Sequence, residues 1–176
     1  MREPMNKLRR RARSTTGWVS ATALALLAAL VPAVAQARQP APHHGAVGQS
    51  RSASGLRVVP LTVTSANGRH AFRVELAESA AQQEKGLMFR TVIPAGTGML
   101  FPMDPPRVAV FWMQNCPVPE DMIFIRKDGT IARIAVNTTP YSTDPISSGE
   151  PVAAVFEVAG GTTARLGIRA GDHVRW

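Results

Sequence analysis

Residues 111–125 read FWMQNCPVPEDMIFI, and this stretch decides how the rest of the chain is interpreted. Two short apolar runs, Val108–Met113 and Met122–Ile125, flank a polar corner that holds two prolines. Short apolar runs bounded by Pro, Asn and Asp predict buried strands with a tight connection between them. The corner brings four polar or reactive side chains beside Trp112: Asn115, Cys116, Glu120 and Asp121. We therefore expect any functional site to lie here.

The first 37 residues have the pattern of an export signal. A basic start is followed by the apolar run Val19–Ala33, and two overlapping Ala-x-Ala cleavage patterns end at residue 37. The apolar run is shorter than the roughly 20 residues that span a bilayer. We predict cleavage and a periplasmic or secreted product, with membrane contact only through the signal segment before cleavage. A retained membrane anchor is the alternative.

Removing the signal segment changes the meaning of the charge. The whole chain has a formal net charge of +8. Residues 1–37 hold six Lys or Arg and one acid, a net of +5, so +8 − 5 leaves +3 for residues 38–176. No run of five or more like charges remains in that part, so a nucleic-acid partner is not expected.

The remaining chain divides into a linker and one domain. Residues 38–54 are rich in Pro, Gly, Ser and Gln, a composition typical of a disordered segment. Residues 55–176 have the length of a single domain. Turn signals at Asn67-Gly68 and Lys127-Asp128-Gly129 predict hairpins, and Asp104-Pro105-Pro106 predicts a further turn. Ser79 and Gln82 form a capping-box pattern before a helix that ends at Gly86.

About seven short apolar runs separated by turn signals predict a mainly β fold. We expect a compact antiparallel β-sandwich or barrel-like domain with one short α-helix, and one further helical turn at Thr162–Leu166. A long polar loop is expected over Asn137–Glu150, and loops of this length are often functional.

Five motifs together resemble the bacterial domain-of-unknown-function family numbered 192. They are Gly86-Leu-Met-Phe-Arg90, Gly98-Met-Leu-Phe101, Phe111-Trp-Met-x-Asn115, Pro119-x-Asp-Met-x-Phe-Ile125 and Leu166-Gly-Ile-x-x-Gly-Asp172. The resemblance covers about residues 61–175 and implies a compact β-sandwich, often in secreted or periplasmic proteins. It implies no activity and no catalytic residues. The chain departs from the family pattern at Cys116, where Thr is expected, and at Glu120, where Leu is expected.

Cys116 is the only cysteine, so no disulfide within the chain is possible. It could be a nucleophile with His70 or His173 as base, it could pair with another chain, or it could be a small buried residue. We favour the last of these, because the neighbouring acids Glu120 and Asp121 would raise the pKa of the thiol.

Asp121 is the acid of greatest interest. At the start of a strand its carboxylate could accept hydrogen bonds from the Asn115–Cys116 corner, a structural role, or it could bind a ligand or act as an acid. Adjacent strand residues point to opposite faces, so Glu120 and Asp121 are poorly placed to act as a glycosidase pair.

Two kinds of ligand site are compatible with the corner. Trp112 and Asn115, with Arg90, Asp121 and Tyr141, could form a surface for a small molecule, a glycan or an envelope protein. Met113, Cys116 and Met122 offer the soft sulfur ligands that Cu(I) prefers, but Met also commonly fills irregular cores.

The chain lacks the His-x-x-His, Cys-x-x-Cys and Gly-x-Ser-x-Gly patterns and a phosphate-binding glycine loop. The sequence therefore favours a non-catalytic binding module without a cofactor. An enzyme or a Cu(I) site that uses the Asn115–Asp121 corner is the alternative.

Overall fold

The computed structural model describes residues 50–176, which form seven strands and two short helices. The elements in chain order are β1 (Val58–Ser65), β2 (Gly68–Leu76), α1 (Ala80–Lys85), β3 (Thr97–Phe111), β4 (Glu120–Ile125), β5 (Ile131–Ala135), β6 (Ile146–Ala159), α2 (Thr162–Leu166) and β7 (His173–Arg175). The predicted signal segment and most of the predicted linker lie outside the described residues. None of the helices within residues 50–176 has the length and apolar character needed to cross a membrane.

All seven strands belong to one sheet with the order β5-β4-β6-β3-β2-β1-β7. Neighbouring strands are antiparallel except β2 and β3, which are parallel. Thr130 forms a bridge with His173, and the Val174 amide donates to the Gly129 carbonyl at 2.8 Å. The two ends of the strand order therefore approach each other, and the sheet curls into an incomplete barrel.

The predicted helix cap and the two predicted hairpins are confirmed. The hydroxyl of Ser79 accepts from the Gln82 amide at 3.2 Å, and the Gln82 side chain accepts from the Ser79 amide at 2.9 Å. These reciprocal bonds satisfy amides that the first turn of α1 leaves free. Ala66 and Asn67 connect β1 to β2, with Gly68 already paired to Ser65, and the turn at residues 127–129 lies between β4 and β5.

Both faces of the curled sheet are covered. The inner face packs on itself around an apolar cluster: Leu61, Val63, Phe72, Val74, Leu76, Leu100, Ile123, Ile125, Ile131, Ala154, Phe156, Val158, Ile168 and Val174. The outer face lies under α1 and the loops that follow α1 and β3. Its core is rich in sulfur: Ala77, Leu87, Ile93, Met99, Phe101, Met103, Ala109, Met113, Cys116, Met122, Phe124, Val152 and Val155.

The mainly β class and the barrel-like alternative are confirmed. The sandwich alternative is wrong in one respect, because the strands form a single curled sheet rather than two stacked ones. The second helix, α2, is the helical turn predicted at Thr162–Leu166.

Three details of the predicted strand arrangement are wrong. Residues 104–106 do not turn the chain back, since β3 continues through them with a register shift between Pro102 and Arg107. β3 and β4 are not neighbours, because β6 pairs with both and lies between them. The long loop ends earlier than predicted, since β6 begins at Ile146. The last two differences share one cause: pairing with a strand distant in sequence leaves no local signal.

Candidate functional site

The corner at residues 113–116 holds two other loops through backbone hydrogen bonds. The Asn115 carbonyl accepts from the amide of Phe89, in the loop after α1, at 2.7 Å. The Cys116 carbonyl accepts from the amide of Tyr141 at 3.2 Å, and the amide of Met113 donates to Ser142 at 2.9 Å. Three segments that are far apart in sequence are thus fixed to one another.

Strained backbone is concentrated at this junction. Phe89, Asn115 and Tyr141 have φ angles of 64°, 58° and 61°, in the left-handed region. A residue other than glycine in this conformation typically costs about 1–2 kcal/mol. Strain of this kind persists where surrounding contacts enforce it and is common at binding sites.

Large aromatic side chains are exposed around the junction. Phe89 is 69% exposed, Tyr141 is 63% exposed and Trp112 is 51% exposed. One comes from each of the three segments that the backbone bonds join. Grouped exposed aromatic residues often mark an interaction site, whereas single exposed apolar residues are ordinary.

A cleft of about 220 Å³ opens beside Trp112, and we call it the aromatic cleft. Its walls come from residues 83–88 at the end of α1, from Phe101, Val110 and Phe111 of β3, and from Trp112. The rings of Phe101 and Phe111 meet edge to face, with centroids 5.1 Å apart. Cys116 and Glu157 also line it. The cleft is thus a mainly apolar cavity with the exposed side chains of Glu84 and Lys85 at its edge and a buried carboxyl, Glu157, and a thiol in its wall.

The Cys116 thiol is poorly suited to nucleophilic catalysis. It is buried, and burial together with the negative charges of Glu120 and Glu157 raises its pKa to about 12. The two histidines considered as its base are engaged elsewhere: His70 lies 3.0 Å from the Ser65 hydroxyl, and His173 lies 2.9 Å from the Asp128 carbonyl oxygen. The predicted direction of the shift in the pKa of the thiol and the contribution of Glu120 are confirmed, but the second acid is Glu157 rather than the predicted Asp121.

The acid in the cleft wall was not found by sequence reasoning. Glu157 stands opposite Met99 on β3 and Met122 on β4, so it belongs to the outer face. It is only 4% exposed, and burial raises its pKa well above the ordinary value. The available signal was a single charged residue in the apolar run Val152–Val158 of a strand covered on both faces.

Glu120 lies on the same face of the sheet, two residues before Met122 along β4. It is 1% exposed, and neither carboxylate oxygen has a hydrogen-bond partner within the described part of the chain. Burial raises the pKa of Glu120 to about 7, while the Cys116 thiol and the charge of Arg90 partly oppose this rise. A second buried acid, Glu120, therefore lies within electrostatic reach of Glu157 but does not line the cleft.

Asp121 points to the opposite face and is fully buried. Its carboxylate accepts from the amides of Asn137, Gly161 and Thr163 at 2.7, 3.0 and 2.8 Å, and from the Thr163 hydroxyl at 2.7 Å. The predicted bonds to the Asn115–Cys116 corner are wrong, because the partners come from the loop after β5 and from the start of α2. Asp121 holds these two segments against β4 and does not line the aromatic cleft.

The other candidate residues lie around the cleft rather than in it. Arg90 forms an ion pair with Glu75 and lines a neighbouring cavity of about 670 Å³. The Asn115 side-chain amide lies 3.8 Å from the sulfur of Met88. Tyr141 contributes an exposed ring. Trp112 is the only one of the five candidate ligand residues that lines the aromatic cleft.

The predicted sulfur cluster is buried. Met113 and Met122 are fully buried in the outer-face core with Cys116, and the hydroxyl of Thr138 lies 3.0 Å from the Met113 sulfur. Among residues 50–176, no group of three or more His, Cys, Asp and Glu side chains is arranged to hold a metal ion.

Comparisons with known proteins agree with this architecture. A crystal structure of a protein of unknown function from Novosphingobium aromaticivorans DSM 12444 is 47% identical, with a TM-score of 0.72 over 74% of this chain and 94% of that chain. A candidate transcription regulator from Sinorhizobium meliloti 1021 is 40% identical, with a TM-score of 0.66 over 68% of this chain and 94% of that one. No curated protein matches.

The sequence profile of the family DUF192, described as "Uncharacterized ACR", matches residues 62–176. This range includes every strand except the start of β1, both helices and all residues that line the aromatic cleft. The resemblance inferred from the five sequence motifs is confirmed, and the chain belongs to the DUF192 family.

Proposed function

We propose that this domain is a non-catalytic module that binds a small molecule in the aromatic cleft after export to the periplasm or the cell exterior. The single observation that carries the proposal is the junction of three strained loops beside a cleft walled by Phe101, Phe111 and Trp112. Concave apolar sites with few polar groups are the usual form of small-molecule sites.

The size of the cleft favours a small molecule over a glycan chain or a protein surface. Its volume of about 220 Å³ lies just below the roughly 300–1,000 Å³ that is typical of ligand pockets. A compact molecule, or one end of a larger one, fits such a space. The edge-to-face pair of Phe101 and Phe111 gives the cleft a fixed wall, so little ordering is needed on binding.

The state of the thiol supports binding rather than catalysis. With the pKa of Cys116 raised to about 12, almost none of the reactive thiolate is present at neutral pH. The enzyme and Cu(I) alternatives remain predictions. A Cu(I) site at Met113, Cys116 and Met122 would require access to side chains that are buried in the outer-face core.

Mass spectrometry of small molecules that co-purify with the protein from its native envelope tests this proposal. Trp112→Ala should lose the bound molecule. Trp176→Ala is the matched control, because Trp176 is similarly exposed but does not line the cleft. Equal retention by wild type and Trp112→Ala would contradict the site.

Export is tested separately by sequencing the amino terminus of the native protein. We expect it to start near Gln36 or Arg38. A protein that begins at Met1 would overturn the export part of the proposal and leave the binding part unaffected.

A further inference from the structure

The aromatic cleft contains a carboxyl group without a cationic partner. No ion pair to Glu157 or Glu120 is present among residues 50–176. A charged carboxylate in an apolar wall is strongly disfavoured unless it is paired, so a buried acid of this kind either keeps its proton or meets a cation. Lys85 also lines the cleft, but within residues 50–176 it forms no ion pair with Glu157 or Glu120.

The charged and titratable groups around Glu157 leave its carboxyl without an ion-pair partner among residues 50–176. From β4, Glu120 adds a second acid, and from the corner, Cys116 adds a neutral thiol. Arg90 lies within electrostatic reach of Glu120, but it is already paired with Glu75. Glu84 and Lys85 at the end of α1 are exposed and carry opposite charges.

The walls of the cleft suit a cation as well. Aromatic faces attract ammonium groups, and this attraction strengthens when water is excluded. Trp112 and Phe111 offer such faces within the same cavity as Glu157. The neighbouring larger cavity differs in this respect, because its acid Glu75 is matched by Arg90 and by a 2.5 Å hydrogen bond from the Ser54 hydroxyl.

Resting on the small-molecule site proposed above, we infer that the ligand is an organic amine whose ammonium group pairs with Glu157 and whose apolar body lies against Trp112 and Phe111. The amine enters as R–NH₃⁺ and the proton on the Glu157 carboxyl leaves to solvent. The ammonium and the carboxylate then form an ion pair, and no covalent bond between heavy atoms changes. Binding of the cation is therefore coupled to proton release.

Probes of matched shape separate the charge inference from the existence of the site. We would titrate benzylamine against benzyl alcohol and benzoate, and n-butylamine against n-butanol, by ligand-observed NMR at pH 7. Each amine should bind at least tenfold more tightly than its alcohol, and benzoate should bind most weakly. An alcohol or benzoate that binds as tightly as the amine would overturn the amine inference alone. Failure of all five probes at tens of millimolar would count against the cleft as a ligand site.

Glu157→Gln tests the role of the carboxyl. It should remove the preference for amines while binding of the alcohols persists. The control Glu78→Gln removes the same charge from an exposed position that does not line the cleft, and it should keep the preference. An unchanged preference in Glu157→Gln overturns the inference.

Proton release tests the same inference on the wild-type protein, in case Glu157→Gln fails to fold. Calorimetry of benzylamine binding at pH 6.5, in buffers of different ionisation enthalpy, should show release of up to one proton. Binding without proton release overturns the inference.

Discussion

Glu120 and Asp121 are adjacent in sequence, and both are fully buried, yet their surroundings are opposite. Asp121 accepts four hydrogen bonds from the loop after β5 and the start of α2. Neither oxygen of Glu120 has a partner within residues 50–176. Satisfied buried acids stabilise a fold, whereas unsatisfied ones reduce its stability. The carboxylate of Asp121 therefore stabilises the fold, whereas the buried carboxyl of Glu120 reduces its stability.

We expect the largest loss of stability when the Asp121 carboxylate is removed. Asp121→Ala leaves three backbone amides without their acceptor, so we expect the free energy of unfolding to fall by about 4 kcal/mol. Chemical denaturation measures this change. Asp144→Ala, at an exposed acid, is the control and should change the stability by less than about 1 kcal/mol. A loss below about 1 kcal/mol in Asp121→Ala would remove the contrast between the two acids.

Replacing the Glu120 carboxyl should raise the free energy of unfolding rather than lower it. The size of this gain should depend on pH. The folded-state pKa of about 7 lies above the ordinary value of 4.5, so the folded protein binds the proton more tightly than the unfolded chain does. The stability that protonation of Glu120 contributes is therefore fully present below about pH 4.5 and is lost as the pH rises through 7. Glu120→Gln cannot ionise and should gain about 2–3 kcal/mol relative to wild type between pH 4.5 and pH 8.

Unfolding experiments on wild type and Glu120→Gln at the two pH values give this difference. Glu78→Gln, at an exposed acid, should show no such change. If the free energies of unfolding of wild type and Glu120→Gln change with pH by the same amount, the pKa of Glu120 is not raised in the folded protein and the prediction is wrong.

A smaller effect is expected at Cys116. Cys116→Thr exchanges one small side chain for another, and we expect a change in stability of no more than about 1.5 kcal/mol. Because the pKa of the thiol is raised to about 12, Cys116 in the folded protein should react with a chromogenic disulfide at least about a hundredfold more slowly than free cysteine at pH 8. Faster reaction than free cysteine, with loss of ligand binding in Cys116→Thr, would favour a thiol enzyme.

The smallest predicted effect concerns the strained rim of the cleft. Tyr141→Gly should leave stability unchanged or raise it by up to about 1 kcal/mol, because glycine adopts the left-handed conformation freely and the Tyr141 ring is mostly exposed. Thr139→Gly, nearby on the same loop but without a positive φ, should lower stability by about 0.5–1 kcal/mol. Thermal melts that show equal losses in the two variants would argue against strain at Tyr141.

Features that depend on contacts within a few residues are predictable from the sequence, whereas those that depend on contacts between distant residues are not. Ser79 with Gln82, and Asn67 with Gly68, specify a cap and a hairpin through contacts within a few residues, and both predictions are confirmed. The partners of Asp121 lie 16, 40 and 42 residues further along the chain, so no local pattern could identify them. Trp112 was identified because it adjoins the corner.

Glu157 could not be identified from the sequence, because β6 is far from the corner along the chain and approaches it only through strand pairing with β3 and β4. Its run of apolar neighbours predicts a strand correctly but does not tell which face a cleft opens on. The insertion of β6 between β3 and β4 is what brings Glu157 next to Cys116 and Glu120.

In the free protein we expect the carboxyl of Glu157 to be protonated and to face the ligand site. NMR titration of side-chain carboxyl carbons, with Glu157 assigned through Glu157→Gln, tests it directly. We predict that the Glu157 resonance titrates well above its ordinary pKa of about 4.5 in the free protein, because burial disfavours its charge. Saturating benzylamine should shift that titration to lower pH. A Glu157 resonance that titrates near 4.5 and does not respond to benzylamine would contradict the claim.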